Sequence, residues 1–285
     1  MKSANTFARI AATLLCLFAF ASASFAATKP LSYPRGLAVD AKGNLYVANS
    51  GGNDILVYNI NYVQTPSKTI TQGISNPSGV AFDAQGNLWV SNYGTSNGGA
   101  NGSISEYIDG KQNTAASITN GILGPGALAV DGLGDVWVQN DNVNVIVYSQ
   151  FGEVVKTIAP PGGPFVFGLT ISKGWASMGG NNATSFFHTS PFLAGEEGPY
   201  YAAGGDNNGI ALASDANSNV YAGNSDGTIN IMYLNQDGIG PFLNLAFETT
   251  GLAVDSVHGR LYVANYNANQ ILVYSTSGTL LHTIE

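Results

Sequence analysis

Cysteine is nearly missing from this chain: Cys16 is the only one in 285 residues. A disulfide scaffold is therefore excluded, and so is a thiolate metal centre. Basic residues are also few, with 10 Lys and Arg against 18 Asp and Glu and a net charge of −8. With no Lys/Arg cluster, the chain lacks the electrostatic footprint of a nucleic-acid or anionic-membrane binder. Histidine occurs three times, at 188, 258 and 282. Amphipathic helical runs are absent, while Gly and Asn punctuate the chain every few residues. That is the composition of a turn-rich, all-β protein.

Long apolar runs are confined to the beginning. Lys2 and Arg9 precede an apolar stretch from Ile10 to Phe20, followed by small residues that include Ser24 and Ala26. This reads as a secretory signal peptide over residues 1–26, cut before Ala27. The stretch is short for a membrane span. Cleavage removes Cys16, Lys2 and Arg9, leaving a more acidic, cysteine-free chain. A secreted or periplasmic location is expected, with no membrane association after cleavage. The expected state is a monomer.

What is abundant is repetition. The first unit reads Gly36-Leu-Ala-Val-Asp40, Gly43-Asn-Leu-Tyr-Val-Ala-Asn49 and Ile55-Leu-Val-Tyr58. The second reads Gly79-Val-Ala-Phe-Asp83, Gly86-Asn-Leu-Trp-Val-Ser-Asn92 and Ile104-Ser-Glu-Tyr107. The third has Ala127-Leu-Ala-Val-Asp131, Gly134-Asp-Val-Trp-Val-Gln-Asn140 and Val145-Ile-Val-Tyr148. The sixth closes the series with Gly251-Leu-Ala-Val-Asp255, Gly259-Arg-Leu-Tyr-Val-Ala-Asn265 and Ile271-Leu-Val-Tyr274. In between, a fifth unit opens at Gly209, and a degenerate fourth keeps phase through Gly168-Leu-Thr-Ile-Ser172. The openings fall at 36, 79, 127, 168, 209 and 251, a mean spacing of 43.

Each unit holds three short β-branched and aromatic runs with room for a fourth, such as Lys68–Thr71, Val154–Ile158 and Thr279–Ile284. Four strands in about 43 residues make a propeller blade. The expectation is a six-bladed β-propeller over residues 27–285, with four antiparallel strands per blade. The first strand of each unit is apolar on both faces, as suits a strand covered by neighbouring blades. The chain starts on an innermost strand and ends on an outermost one, so closure rests on packing of blade six against blade one. The Asp column (Asp40, Asp83, Asp131, Asp255) reads as turn chemistry, and so does the Asn column (Asn49, Asn92, Asn140, Asn224, Asn265).

The pattern Pro-x-Gly-Leu-Ala-Val-Asp-x-x-Gly-Asn-Leu-Tyr-Val-Ala-Asn, over residues 34–49, resembles the NHL repeat. It is also similar to the wider six-bladed group of SMP-30/gluconolactonase-like proteins and virginiamycin B lyases. The resemblance covers residues 34–285 and implies a fold far more than an activity, since that group includes hydrolases, lyases and binding modules. It also implies a working face made by the loops entering each innermost strand and the loops after each second strand. The gluconolactonase-like enzymes hold a divalent cation there with Glu, Asn and Asp. Aligned on the residue before each opening, this chain offers Arg35, Ser78, Gly126, Phe167, Asn208 and Thr250. Only Asn208 is ligand-like, and Asp206 and Glu248 lie nearby in sequence. No cofactor is expected, and a divalent cation is the alternative.

The resemblance to the lyases implies a histidine near the channel. His258 falls in a turn and His282 on the last strand, while His188 sits in the irregular fourth blade. That blade carries Phe165, Phe167, Trp175, Phe186, Phe187, Tyr200 and Tyr201, aromatics suited to stacking a flat ligand or to ordinary packing. An enlarged Gly/Asn-rich loop at 93–102 marks the second blade.

Two readings stand. The first is an exported, non-catalytic propeller binding a small molecule, glycan or protein at the channel mouth through Arg35, Asn76, Phe167, Asp206, Asn208 and Glu248. The second is a divergent lactonase-like hydrolase or lyase that uses Asp206, Asn208 and Glu248 around a cation, with Arg35 on a carbonyl or carboxylate.

Overall fold

A computed structural model describes residues 27–95, 101–159, 166–180, 183–188, 209–233 and 238–285. The expected signal peptide lies outside the described residues. The protein is an all-β propeller in which a single 3-10 turn, Pro66–Lys68, is the only helical element described. The first sheet is β1 (Pro34–Val39), β2 (Leu45–Asn49) and β3 (Asp54–Tyr58). The second is β4 (Pro77–Phe82), β5 (Leu88–Asn92), β6 (Ser103–Ile108) and β7 (Lys111–Ile118). In the third, β8 (Pro125–Val130), β9 (Val136–Asn140), β10 (Asn144–Tyr148) and β11 (Val154–Ile158) follow one another. The fourth holds β12 (Val166–Ser172), β13 (Trp175–Gly180) and β14 (Ala183–His188). The fifth is β15 (Gly209–Ser214), β16 (Asn219–Asn224), β17 (Thr228–Tyr233) and β18 (Gly238–Asn244). The sixth is β19 (Gly251–Asp255), β20 (Arg260–Asn265), β21 (Gln270–Ser275) and β22 (Leu280–Ile284). Every pairing is antiparallel between chain neighbours.

The innermost strands pack side by side in chain order, β1 on β4, β4 on β8, β8 on β12, β12 on β15, β15 on β19, and β19 back on β1. Among the described residues, six apolar clusters fill the seams between successive sheets. Val80, Leu88 and Tyr107 of the second sheet pack on Ala48 and Ile55 of the first. At the closing seam, Tyr262, Ile271 and Val273 of the sixth sheet pack on Leu37, Val47 and Leu56. No sheet could bury these faces alone, so the core exists only when the sheets are assembled.

The opening column is small because the innermost strands nearly touch. A Cβ on Gly36 would stand 2.6 Å from the Gly79 Cα, and one on Gly79 would stand 2.6 Å from the Gly126 carbonyl oxygen. Ala127 and Ala211 are the largest residues this column accepts.

The Asp column is turn chemistry. Asp40 Oδ1 accepts the N–H groups of Lys42 and Asn44 at 2.9 Å, and its Oδ2 accepts the Asn44 amide at 2.7 Å. Asp83 repeats this with Gln85 and Asn87, and adds Trp89 Nε1 at 3.2 Å. In the first three sheets the Asn column ties the second strand to the loop that enters its own sheet. Asn49 Oδ1 accepts from Ser32 N, Asn92 Oδ1 from Ser75 N and Asn140 Oδ1 from Leu123 N, each seventeen positions earlier.

Two expectations need correction. Lys68–Thr71 is not a fourth strand in the first sheet: a 3-10 turn occupies Pro66–Lys68, and only Ile70 bridges to Ile55. Pro66 has no N–H to give a ladder, which explains the break. The fifth unit is also shifted by two residues. Gly209 pairs with Asn224 as Pro77 pairs with Asn92, so the opening residue is Ala211 and not Gly209. Asp215 then joins the Asp column, accepting from Asn217 N, Asn219 N and the Asn219 amide.

Candidate functional site

The six innermost strands surround a central channel that is pinched in the middle. Leu37, Val80, Leu128, Leu169, Leu212 and Leu252 form an aliphatic girdle, all buried. On the side of the Asp turns lies a small cup of about 230 Å³, lined mainly by aliphatic residues of the innermost strands and their backbone. On the other side lies a cavity of about 560 Å³, within the size range of small-molecule sites. The girdle lines both. The channel therefore offers one polar mouth above an apolar floor.

The polar wall of the mouth comes from two loop sets. Arg35 and Ser78 are the second residues of β1 and β4, and Thr250 immediately precedes β19, with Glu248 two residues earlier. Tyr93, Asn142, Tyr266 and Asn267 follow the ends of second strands. The Arg35 guanidinium sits 5.3 Å from the centroid of Tyr266, and Tyr266 in turn packs on Tyr33 at 4.8 Å with a 31° tilt. Ser78 Oγ donates to the Pro125 carbonyl at 2.5 Å, tying the second sheet to the third.

Arg35 and Glu248 both line the cavity. Asn76 does not. Its backbone N–H donates to Asn53 Oδ1 at 2.6 Å, and its Oδ1 accepts from Ser50 at 2.5 Å, so it clamps the first sheet to the second. Tyr33 plays the same part at the closing seam, donating its N–H to Asn269 Oδ1 at 2.7 Å. Phe167 lies in β12, and its side chain is outside what is described. Asp206 and Asn208 lie outside the described residues. The register correction matters here, because the position structurally equivalent to Arg35 in the fifth sheet is Ile210 and not Asn208. Ile210 lines the cavity.

Gln139 was missed by sequence reasoning. It occupies a position that is Ala48, Ser91, Gly223 and Ala264 in other sheets. Its side chain lies over Gly126, its Oε1 accepts from Ala127 N at 3.1 Å, and its Nε2 donates to Asn142. The signal was a large polar residue in a column of small ones. Tyr93, Asn142 and Tyr266 were equally findable, one or two places after the Asn column.

The remaining sequence candidates have other duties. His258 hydrogen-bonds Asp255 through Nδ1 at 2.6 Å, in a turn on the far face. His282 stacks on Tyr62 at 4.5 Å. Trp175 packs beside Leu212, Val220 and Met232 as core. The His188, Phe186 and Phe187 side chains are not among the described ones, and Phe165, Tyr200 and Tyr201 lie outside the described residues. Of the 93–102 loop, residues 96–100 also lie outside.

Among the described residues, no three His, Cys, Asp or Glu come together as a metal site. The described mouth offers one carboxylate and one guanidinium, which does not fit a hard divalent cation wanting several oxygen ligands. Shifted ionisations fall away from the mouth. Burial pushes Tyr107 and Tyr221 up to about 12, with the Asp215 and Tyr233 charges adding to the shift at Tyr221. Asp135, in the turn between β8 and β9, is raised by burial and by the Asp131 carboxylate.

No curated protein matches the chain. Among solved structures, a streptogramin B lyase superposes with a TM-score of 0.64 at 15% identity, covering 92% of this chain and 85% of its own. A virginiamycin B lyase from Staphylococcus aureus gives 0.62 at 14% identity, with coverage of 88% and 83%. A gluconolactonase from Xanthomonas campestris gives 0.66 at 13% identity, with coverage of 88% and 87%. At these identities the likeness is one of fold. Residues 31–58 match the NHL repeat, and the chain resembles the NHL and SMP-30/gluconolactonase-like β-propellers, whose fold it shares.

Proposed function

We propose that this is an exported, six-bladed propeller that binds a small molecule at the mouth of its central channel. In this reading the six sheets are six blades, residues 1–26 are removed on export, and the monomer acts outside the cytoplasm. One observation carries it: the cavity of about 560 Å³ holds a cation and an anion, Arg35 and Glu248, that are not paired with each other among the described residues. Charges placed in a concave site without an ion-pair partner are poised for a ligand. A glycan or a protein loop are the other occupants considered, and no cation is required.

Thermal denaturation of the processed chain against a panel of sugars, lactones and organic acids tests this. A panel member should raise the melting temperature, and Asn267→Trp, which narrows the mouth from an exposed loop, should abolish the rise. An equal rise in the variant places binding elsewhere and defeats the proposal.

The second reading, a divergent lyase or lactonase, draws support from the likeness to a streptogramin B lyase and a gluconolactonase. A virginiamycin B lyase is known in a catalytically inactive form in which one histidine is replaced by alanine. Here no described histidine side chain lines the mouth, which favours binding. Turnover of a lactone or a streptogramin that Glu248→Gln abolishes would reverse that preference.

A further inference from the structure

We infer that the mouth takes a carboxylate-bearing molecule, with Arg35 as its anchor; this rests on the proposed binding role of the same cavity. The inference starts from how Arg35 is held. Its guanidinium lies over Tyr266, which is backed by Tyr33, so two aromatic rings form a shelf beneath one cation. A guanidinium held against a ring, with no hydrogen bond to it, keeps its N–H donors available, and their fork matches the two oxygens of a carboxylate.

Those donors are unspent. No hydrogen bond from the Arg35 side chain occurs among the described residues, and the ion pairs found there are Lys29–Asp54 and His258–Asp255. Arg35 is half-buried, so part of its hydration is already lost before a ligand arrives. An anion that completes the fork therefore gains more than it would at an open surface.

The surroundings narrow the class. The chain as a whole is acidic, at −8, so anions are not drawn to it in general. Among the described residues, Arg35 is the one cation lining this cavity, and Glu248 is the one anion. Glu248 would repel a second negative charge and would accept from a hydroxyl or ammonium group. The match is a monoanion whose far end carries hydrogen-bond donors or a ring. Tyr93, from the neighbouring sheet, supplies a further aromatic to the wall.

Isothermal titration of the full processed chain with benzoate and with benzamide, a neutral analogue of the same shape, tests this. Benzoate should bind about tenfold more tightly, the worth of one charge-assisted pair. Arg35→Gln should remove that preference, weakening benzoate far more than benzamide. Circular dichroism and the urea midpoint establish that the variant is folded. Tyr266→Leu removes the shelf while keeping the charge, and should cut the preference severalfold even if Arg35→Gln does not fold. A benzoate preference that survives Arg35→Gln, or is untouched by Tyr266→Leu, overturns Arg35 as the anchor. Equal binding of both probes to the wild type overturns the carboxylate class and leaves the cavity as a binding site. Binding of neither, up to their solubility, overturns both.

Discussion

The Cα of Gly251 lies against the carbonyl oxygen of Arg35, so close that a Cβ built there would overlap it. This contact joins the last innermost strand to the first. The Gly251 backbone is not in the left-handed region, so the demand for glycine is purely one of space. Gly251→Ala should therefore cost about 1–3 kcal/mol, the usual penalty of overpacking a rigid interior. Gly132 has nothing within 4 Å of its would-be Cβ, and Gly132→Ala should be close to neutral. Urea denaturation of the two variants beside wild type measures the contrast. Equal midpoints would show that the closing seam yields easily.

Asp135 is the one member of its turn column that works against its neighbour. In the first, second and fifth sheets the corresponding residue is Asn44, Asn87 or Asn219, and its amide donates to the column Asp. Asp135 instead faces Asp131, and burial together with that charge raises its pKa. A raised acid holds its proton longer in the folded state, so its penalty is absent at low pH. The penalty grows as pH rises from the ordinary carboxylate range through the raised value, and is complete above it. Asp135→Asn should stabilise the protein at neutral pH by about 1 kcal/mol, the net value of a regained hydrogen bond. Part of that gain should fade on acidification, as wild-type Asp135 becomes protonated. Asp83 already accepts both an amide and a Trp Nε1, so Asp131, which holds Trp137 Nε1 at 3.0 Å, has room for the same pair. Thermal melts at acidic and neutral pH read the sign directly.

The Asn column divides into two kinds. Asn92 is fully buried and bonds the loop entering its sheet at both Ser75 N and the Gly73 carbonyl. Asn265 accepts from Ala268 N, within its own turn. Removing Asn92 strands two backbone groups, whereas removing Asn265 loosens one local turn. Asn92→Ala should cost about 2–4 kcal/mol and Asn265→Ala about 1 kcal/mol or less. Hydrogen exchange at Ser75 should rise in the first variant only.

These columns explain what the sequence could reveal. Asp40, Asn49 and their counterparts act on backbone within a few residues or one strand pair away, so the same chemistry recurs at the same spacing. The fifth-sheet register escaped for a physical reason. Gly209 and Ala211 are two apart, and strand side chains alternate with a period of two, so the slip leaves every residue on its proper face. Only the pairing of Gly209 with Asn224 exposes it. The mouth was legible in outline, through Arg35 and Glu248. Its full wall was not, because Tyr93, Gln139 and Tyr266 come from three different sheets and meet only when the ring closes.

Among the described residues, no strand is exchanged between the first and last sheets: β22 pairs with β21 of its own sheet, and residues 27–33 add no strand to the sixth. Beyond the core and the Gly251 contact, the outer seam depends on Tyr62. Its ring stacks on His282 at 4.5 Å with a 12° tilt, and the Arg260 guanidinium lies 4.9 Å from its centroid. Arg260 Nη1 also donates to the Ile60 carbonyl at 2.8 Å, crossing the same seam. One phenol thus joins two residues of the sixth sheet to the first. Tyr62→Phe keeps the ring and should be close to neutral. Tyr62→Ala loses the stack and the cation contact together and should cost about 1–3 kcal/mol. If the seam is where the ring opens, limited proteolysis of Tyr62→Ala should cut near the two chain ends before cutting elsewhere. A cleavage pattern unchanged from wild type would place the weakest seam at another pair of sheets.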